Sequence, residues 1–257
     1  MAFTNDVQTP ESPDEQPFRM LRQFRDPKFA LDLRRRTRLG PLDAELFPGD
    51  GLGDHFARAL CSAHALPFKE VLEAYEFFVR CRKAITRPSI LDACCGHGLA
   101  GVLFALFERR VEEVVLIDRS RPASFDRVVE AASMVGPWVK DKLRYVECDL
   151  KRAPRHISPG SGVIAIHACG MRTDRALNVA LQGAGPFAAM PCCRPHRLHP
   201  APGGLKRALG PDIAIDVDRS YTLERAGYRV RWDAIPAAIT SHSRMLIASP
   251  PSQSEPT

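Results

Sequence analysis

Ser89-Ile90-Leu91-Asp92-Ala93-Cys94-Cys95-Gly96-His97-Gly98-Leu99-Ala100-Gly101 decides how the rest of the chain is read. A short apolar run reaches an aspartate, breaks on glycines and resumes as Val102-Leu103-Phe104-Ala105-Leu106-Phe107. That is the pattern of a buried strand, a tight turn and a helix. The glycines let the backbone turn sharply and approach a ligand with no Cβ in the way. The helix start then offers unpaired N–H groups to a polar partner. Gly96-His97-Gly98-Leu99-Ala100-Gly101 formally matches the dinucleotide fingerprint, whose glycines cradle a pyrophosphate. Asp92, however, stands at the strand end before the first glycine, where a carboxylate repels a pyrophosphate and suits a cation.

Further acids follow at telling places. Glu113 to Asp118 is an apolar run that ends in an acid about twenty residues beyond the glycine turn, the place where nucleotide folds bind ribose hydroxyls. A helix is expected over 122–134. Leu143 to Leu150 reads as a third strand and its exit, with Asp149 on the exit. Val163-Ile164-Ala165-Ile166 is wholly apolar, as in the middle of a parallel sheet. It runs straight into His167-Ala168-Cys169-Gly170-Met171-Arg172-Thr173-Asp174, where Thr173 or Asp174 is expected to cap the next helix. Phe187 to Met190 is a fifth strand, ending in Pro191-Cys192-Cys193. Residues 195–211 read as a long loop over the site. A helix over 216–227 and a strand pair, 228–232 with 243–248, close the pattern. Strand–helix alternation predicts an α/β doubly wound sheet of Rossmann-like type, with ligands at the carboxyl ends of the strands.

Upstream, residues 1–17 have the composition of a disordered segment. The charge then changes sign. Arg19, Arg22, Arg25, Lys28, Arg34, Arg35, Arg36 and Arg38 interleave with Phe18, Leu21, Phe24, Phe29 and Leu31. Arginines that clamp phosphates, beside rings that stack on bases, suit a nucleic acid. The alternative is a basic arm packed on its own domain. Residues 53–65 look helical, and Pro67 opens an amphipathic helix with Val71, Leu72, Tyr75, Phe78, Val79 and Arg82 on one face. The domain division is therefore 18–86 for the arm and N-terminal helical extension, 87–249 for the ligand-binding domain and 250–257 for a disordered tail.

Composition is that of a globular protein, with a formal net charge of +6 that is compatible with an RNA partner. No apolar run is long enough to span a membrane, and Met1-Ala2-Phe3-Thr4-Asn5-Asp6 carries no signal-peptide pattern, so a cytoplasmic location is expected. Eight cysteines in that setting are reduced thiols, ligands or catalytic groups and not a disulfide framework.

Asp92 with Gly96 and Gly98, a D-x-x-x-G-x-G run, resembles motif I of class I methyltransferases, whose donor S-adenosyl-L-methionine brings a cationic ammonium group. Ile166-His167-Ala168-Cys169-Gly170 with Thr173-Asp174, then Pro191-Cys192-Cys193, resembles the methyltransferase domain of the glutathione S-transferase C-terminal domain-containing protein. More distantly it resembles the tRNA 2′-O-methyltransferases of the acceptor stem, which share an H-x-C-G-x-x-T-D segment and a Cys-Cys. Ile239-Thr240 with Arg244 to Ile247 is similar to the last-strand segment of the wider group. The resemblance covers roughly residues 90–248. It implies a class I methyltransferase fold, S-adenosyl-L-methionine as cofactor and an RNA acceptor, with tRNA the narrower case. This sequence departs from the tRNA enzymes in lacking their Cys/His zinc-finger spacing and the His-His after Cys-Cys.

The resemblance implies donor contacts at Asp92, Cys94, Gly96, Gly98, Asp118, Asp149 and His167, with Asp149 accepting from the adenine amino group. His167 or Asp174 is the candidate base for an acceptor, or else an orienting group or helix cap. Three readings stay open for Cys169, Cys192 and Cys193: packed thiols, a nucleophile of the cytosine-5 type with Cys192 foremost, or metal ligands together with His167, His196 and His199. No paired C-x-x-C spacing supports a metal, and none is expected. The Asn/Asp-Pro-Pro-Tyr run of adenine-N6 enzymes is absent. The expected function is S-adenosylmethionine-dependent methylation of RNA. Methylation of a small molecule or protein, or a silent donor-binding module, is the alternative.

Overall fold

The computed structural model describes residues 16–29 and 32–251. Expectations for 1–15, for Leu31 and for 252–257 lie outside the described residues. Two helices come first, α1 (Leu52–Ser62) and α2 (Phe68–Ile85). There follow β1 (Ser89–Ala93), α3 (Leu99–Phe107), β2 (Glu113–Asp118), α4 (Ala123–Val135), α5 (Val139–Lys142) and β3 (Leu143–Glu147). Then come β4 (Gly162–Ile166), α6 (Arg172–Gly183), β5 (Phe187–Met190), α7 (Gly203–Leu209), α8 (Pro211–Arg225), β6 (Arg229–Ala234) and β7 (Arg244–Ser249).

The strands form one seven-stranded sheet in the order β3-β2-β1-β4-β5-β7-β6. β1 to β5 run parallel, and β7 enters antiparallel between β5 and β6. The order reverses between β1 and β4, so the connections leaving their carboxyl ends diverge and open a crevice. Successive strand residues face opposite layers. Ile90, Val114, Leu116 and Ile164 join the core under α1 to α4, whereas Leu91, Val115, Ile117 and Val163 join the core under α6 and α8. Asp92, two residues beyond Ile90, therefore points to the α3 side.

The N-terminal segment is part of that core. Phe18, Leu21, Phe24, Leu39 and Phe47 are buried with α1, α2 and the sheet, so packing is continuous across residue 86. Phe24 touches the rings of Phe18, Phe29, Phe47 and Phe68 at centroid distances of 5.6–5.9 Å. Its neighbours leave no face for a base to stack on, which corrects the nucleic-acid reading of these aromatics. Most of the arm's arginines are engaged as well. Arg25 donates to the Phe18 carbonyl and Arg34 to the Ala237 carbonyl at 2.9 Å. Arg35 pairs with Asp43 over the Phe68 ring, and Arg38 donates to the Ala65 carbonyl. Pro17, placed in the disordered segment by composition, has its carbonyl held by Arg80 at 2.8 Å.

Two boundaries also differ. The stretch expected as a loop over 195–211 contains α7, and α8 starts at Pro211 and not at 216. Pro211 suits a first helical position because the N–H it lacks would be unpaired there.

Candidate active site at the carboxyl edge of the sheet

Asp92, the last residue but one of β1, has its carboxyl buried, and Oδ2 accepts the Gly101 N–H from the first turn of α3 at 2.9 Å. Burial pushes its pKa up from 3.8 to about 7; the Gly101 bond opposes that rise and the charge of Asp118 adds to it. The chain then turns through Cys94 (φ +58), Gly96 (φ +52) and Gly98 (φ +70). At Gly98 a Cβ would stand 2.6 Å from Leu116 and 2.9 Å from Phe125, so both backbone conformation and space require glycine. Asp118, ending β2, braces this turn: Oδ2 accepts the Gly96 N–H at 2.8 Å and Oδ1 its neighbour Arg119 N–H at 2.7 Å. Tyr145 holds the other side through bonds to the carbonyls of Gly96 and Ser120.

The cover comes from α2. Glu70 lies 3.0 Å from His97 Nε2, and Glu73 lies 3.0 Å from His167 Nε2. Glu73 is buried and also bonds Lys69. Burial pushes its carboxyl up, but His167 and Lys69 together outweigh that and hold it below the usual value. The hydrogen bond from His97 likewise lowers Glu70. His167, directly after β4, has φ +56, a conformation uncommon for a residue with a Cβ. Strained residues thus end two adjacent central strands, a placement associated with functional sites.

Between these groups lies a cavity of about 340 Å³, lined by Glu70, Asp92, Gly96, Asp118, Ile166, His167 and Arg172 among others. That volume falls within the ~300–1,000 Å³ typical of small-molecule sites. A smaller crevice shares Cys94, Asp118 and Arg172 with it and contains Asp149. Residues 68–199, just over half of the chain, match the family model described as a methyltransferase domain.

The chain belongs to this methyltransferase family. The fold is the class I methyltransferase fold, its parallel strands completed by the antiparallel β7. Among solved structures, the chain is similar to the Bacillus subtilis m1A22 tRNA methyltransferase TrmK, with a TM-score of 0.43 and 10% identity over 68% of this chain and 65% of that one. It is also similar to Pyrococcus horikoshii TYW2 in complex with MeSAdo, with a TM-score of 0.39 and 14% identity over 68% of this chain and 61% of that one. The matched region is therefore less than two thirds of either of those proteins. No curated protein matches the sequence.

The cavity brings together Asp92, Cys94, Gly96, Asp118 and His167. Gly98 shapes it from beneath as the residue before α3. Asp149 sits in the adjoining crevice, where Oδ1 accepts the Lys151 N–H at 3.0 Å and Oδ2 lies 3.7 Å from Arg119. That Lys151 bond is the main cause that keeps its carboxyl below the usual range.

Asp174 is placed differently. Its two oxygens accept from Arg219 Nε at 2.8 Å and Nη2 at 2.9 Å, and His199 Nε2 lies 3.1 Å away. Arg219 also reaches Asp216, which receives Arg194 and Arg244. Asp174 is thus one corner of a mostly buried ionic clamp that ties α6 to α8 and to the segment after β5, and it does not line the cavity. The base and cap roles are both corrected. α6 starts at Arg172 after Met171, and Thr173 Oγ1 donates to the Ala168 carbonyl at 2.6 Å instead of capping.

Cys169, Cys192 and Cys193 also stand outside the cavity lining. Burial raises the Cys192 thiol well above its ordinary value, which leaves it protonated and a poor nucleophile at neutral pH. Cys94, which does face the cavity, is pushed up by burial to about 11.

Glu70, Glu73, His97 and Arg172 are the site residues that pattern reading passed over. One signal was available. Glu73, Glu76 and Arg80 follow helical spacing on a helix whose other neighbours are apolar, and all three are buried. A buried charge persists only with a partner, so such a stripe marks positions to be matched from elsewhere. The partner of Glu73 is ninety-four residues away.

Proposed function

We propose that the protein transfers the methyl group of S-adenosyl-L-methionine to RNA. The observation that carries this reading is the carboxyl-edge cavity, in which Asp92, Asp118 and Glu70 surround a glycine turn. A cationic ligand suits that set better than a pyrophosphate does. Asp92 would neutralise the donor's ammonium group, recovering in the complex the ionised state that burial disfavours in the free protein. Asp118 has lone pairs left for ribose hydroxyls after bonding two backbone N–H groups. Asp149, in the crevice beyond it, would take the adenine amino group. Cys94 and Ile166 would supply the apolar contacts, and Gly96 leaves room for close approach, since a Cβ there would meet nothing within 4 Å. The donor, when bound, supplies a methyl group on an electrophilic sulfonium.

His167 and Glu73 serve the acceptor. With Nε2–H donated to Glu73, Nδ1 is the nitrogen free to accept a proton from an acceptor O–H or N–H. Glu73 then stabilises the imidazolium that forms and fixes the ring's orientation. Because α2 contributes Glu70 and Glu73, we place the start of the donor-binding domain at Phe68, not at residue 87.

An RNA acceptor is supported by charge along the carboxyl edge of the sheet. Arg152, Arg172, Arg175, Arg197 and Arg207 stand on the segments that leave β3, β4 and β5, and none forms a salt bridge among the described residues. Guanidinium groups free of intrachain carboxylates suit phosphate oxygens. The resemblance of residues 166–174 and 191–193 to the glutathione S-transferase C-terminal domain-containing group points the same way. No described helix is long and apolar enough to cross a membrane.

The test is tritium transfer from labelled S-adenosylmethionine into total RNA, protein and small-molecule fractions. Label in RNA that is abolished by His167→Ala is expected. Label confined to protein or small molecules would move the acceptor to that class. Donor binding by calorimetry with no transfer into any fraction would leave a silent donor-binding module. Absence of donor binding would overturn the whole reading.

A further inference from the structure

We propose that Cys169, Cys192 and Cys193 form a tri-thiolate site for a single thiophilic cation, Zn²⁺ or Cu⁺, between the loops that follow β4 and β5. The three sulfurs lie within 4.8 Å of one another, with Cys169 Sγ and Cys192 Sγ 3.0 Å apart. A metal–sulfur bond of about 2.3 Å puts sulfurs of one coordination shell roughly 3.8–4.0 Å apart. The thiols are therefore gathered within about 1 Å of coordination spacing, a difference that side-chain rotations can take up. The shortest pair is too far apart for a disulfide, whose S–S bond is ~2.05 Å. All three are free cysteines.

The surroundings suit thiolates. Gly170, at φ +66, turns its N–H toward the Cys193 sulfur, and Arg172 brings positive charge to both Cys169 and Cys193. Three thiols crowded together hold their protons against mutual repulsion, and a soft cation removes that obstacle. Binding releases the thiol protons to water and leaves a site of charge −1 with Zn²⁺ or −2 with Cu⁺, which Arg172 partly offsets. Cys193 is exposed and provides the entry path. Sequence spacing hides the site because its ligands come from two loops and two of them are adjacent residues. A bound ion would pin the loop after β4, which begins with His167, against the loop after β5.

The experiment uses the full chain, purified under reducing conditions without chelator, then supplied with Zn²⁺ or, anaerobically, with Cu⁺. Metal content after gel filtration, affinity by competition with a chromophoric chelator, and alkylation of each cysteine followed by mass spectrometry are the readouts. One equivalent of one of the two ions is expected, with Cys169, Cys192 and Cys193 protected from alkylation and Mg²⁺ without effect. Which ion is retained distinguishes zinc from copper. The exposed Cys193→Ser should fold normally and weaken binding by about 100-fold or more, exceeding the cost of losing a residue that only supports a ligand. Cys148→Ser should bind as the parent does. No retained ion, affinity unchanged in Cys193→Ser, or a Cys169–Cys192 disulfide formed in the presence of metal would each overturn the proposal.

Discussion

Two regions of this molecule are rich in arginine, and the fold uses them in opposite ways. In the N-terminal segment, Arg19, Arg25, Arg34, Arg35 and Arg38 are engaged by Asp233, Asp43 or backbone carbonyls, and the interleaved Phe18 and Phe24 are buried. At the carboxyl edge, Arg152, Arg172, Arg175, Arg197 and Arg207 form no salt bridge among the described residues, although Arg175 lies near Asp149. Equal composition thus yields a scaffold in one place and an open cationic surface in the other. What separates them is the supply of acceptors nearby: turns and helix ends offer spare carbonyls in the first region, and the segments that leave the strands offer the second no salt-bridge partner among the described residues.

The largest effect expected belongs to the cavity. His167→Ala should lower kcat by ~10²–10⁴-fold, the usual contribution of a positioned acid–base group, while donor affinity changes little. Glu73→Gln should cost less, because the ring survives and loses only its partner. Steady-state turnover with a parallel binding measurement checks both. Equal losses in turnover and donor affinity would make His167 a donor contact alone.

Next is the scaffold side. Phe24→Ala should destabilise the protein by ~3–5 kcal/mol, as large-to-small changes in a core do, with RNA affinity unchanged for the fraction that stays folded. A stable variant with weakened RNA binding would restore the arm as a nucleic-acid surface. Such a result would break the comparison.

A smaller effect is expected at the rim. Arg152→Ala with Arg197→Ala should weaken RNA binding and reduce the slope of log affinity against log salt by about 0.7–0.9 for each phosphate that is no longer neutralised. Arg34→Ala with Arg38→Ala, on the arm, should leave that slope as it was. The reverse outcome from titrations at several salt concentrations would interchange the two regions.

The smallest concerns Asp92. Its folded pKa of about 7 stands above the ordinary 3.8 because it is buried. Between those values the unfolded chain loses the proton and the folded chain keeps it, so stability falls as pH rises through the window and levels off above it. In the ligand-free protein, Asp92→Asn should raise the melting temperature above about pH 7 and lose that advantage below about pH 4. Parallel melting curves for both proteins across this range would place Asp92 outside the low-dielectric pocket.

Most of the sheet was legible in the sequence. β1, β2, β4 and β5 are short apolar runs closed by turns, and buried parallel strands need both faces apolar. The glycine turn was legible too, because positive φ and a missing Cβ leave few residues that fit. Asp92, Asp118 and His167 could be placed on one edge because each lies at or next to a strand end, and strand ends of a doubly wound sheet meet. Asp174 escapes such a reading because its position on α6 is visible but Arg219, forty-five residues away, is not.

The sequence by itself determined the alternation of strands and helices, the turn after β1 and the acids at the strand ends, since all of these follow from local periodicity and backbone sterics. Only the tertiary structure decided what each charge meets. It gave Glu73 to His167, Asp174 to Arg219 and the arm's arginines to the chain's own carbonyls, and it gathered three cysteines from two loops. The physical reason is range. Secondary structure is set by neighbours a few residues apart, whereas pairing of a charge or a thiol depends on whichever groups the folded chain brings within a few ångströms.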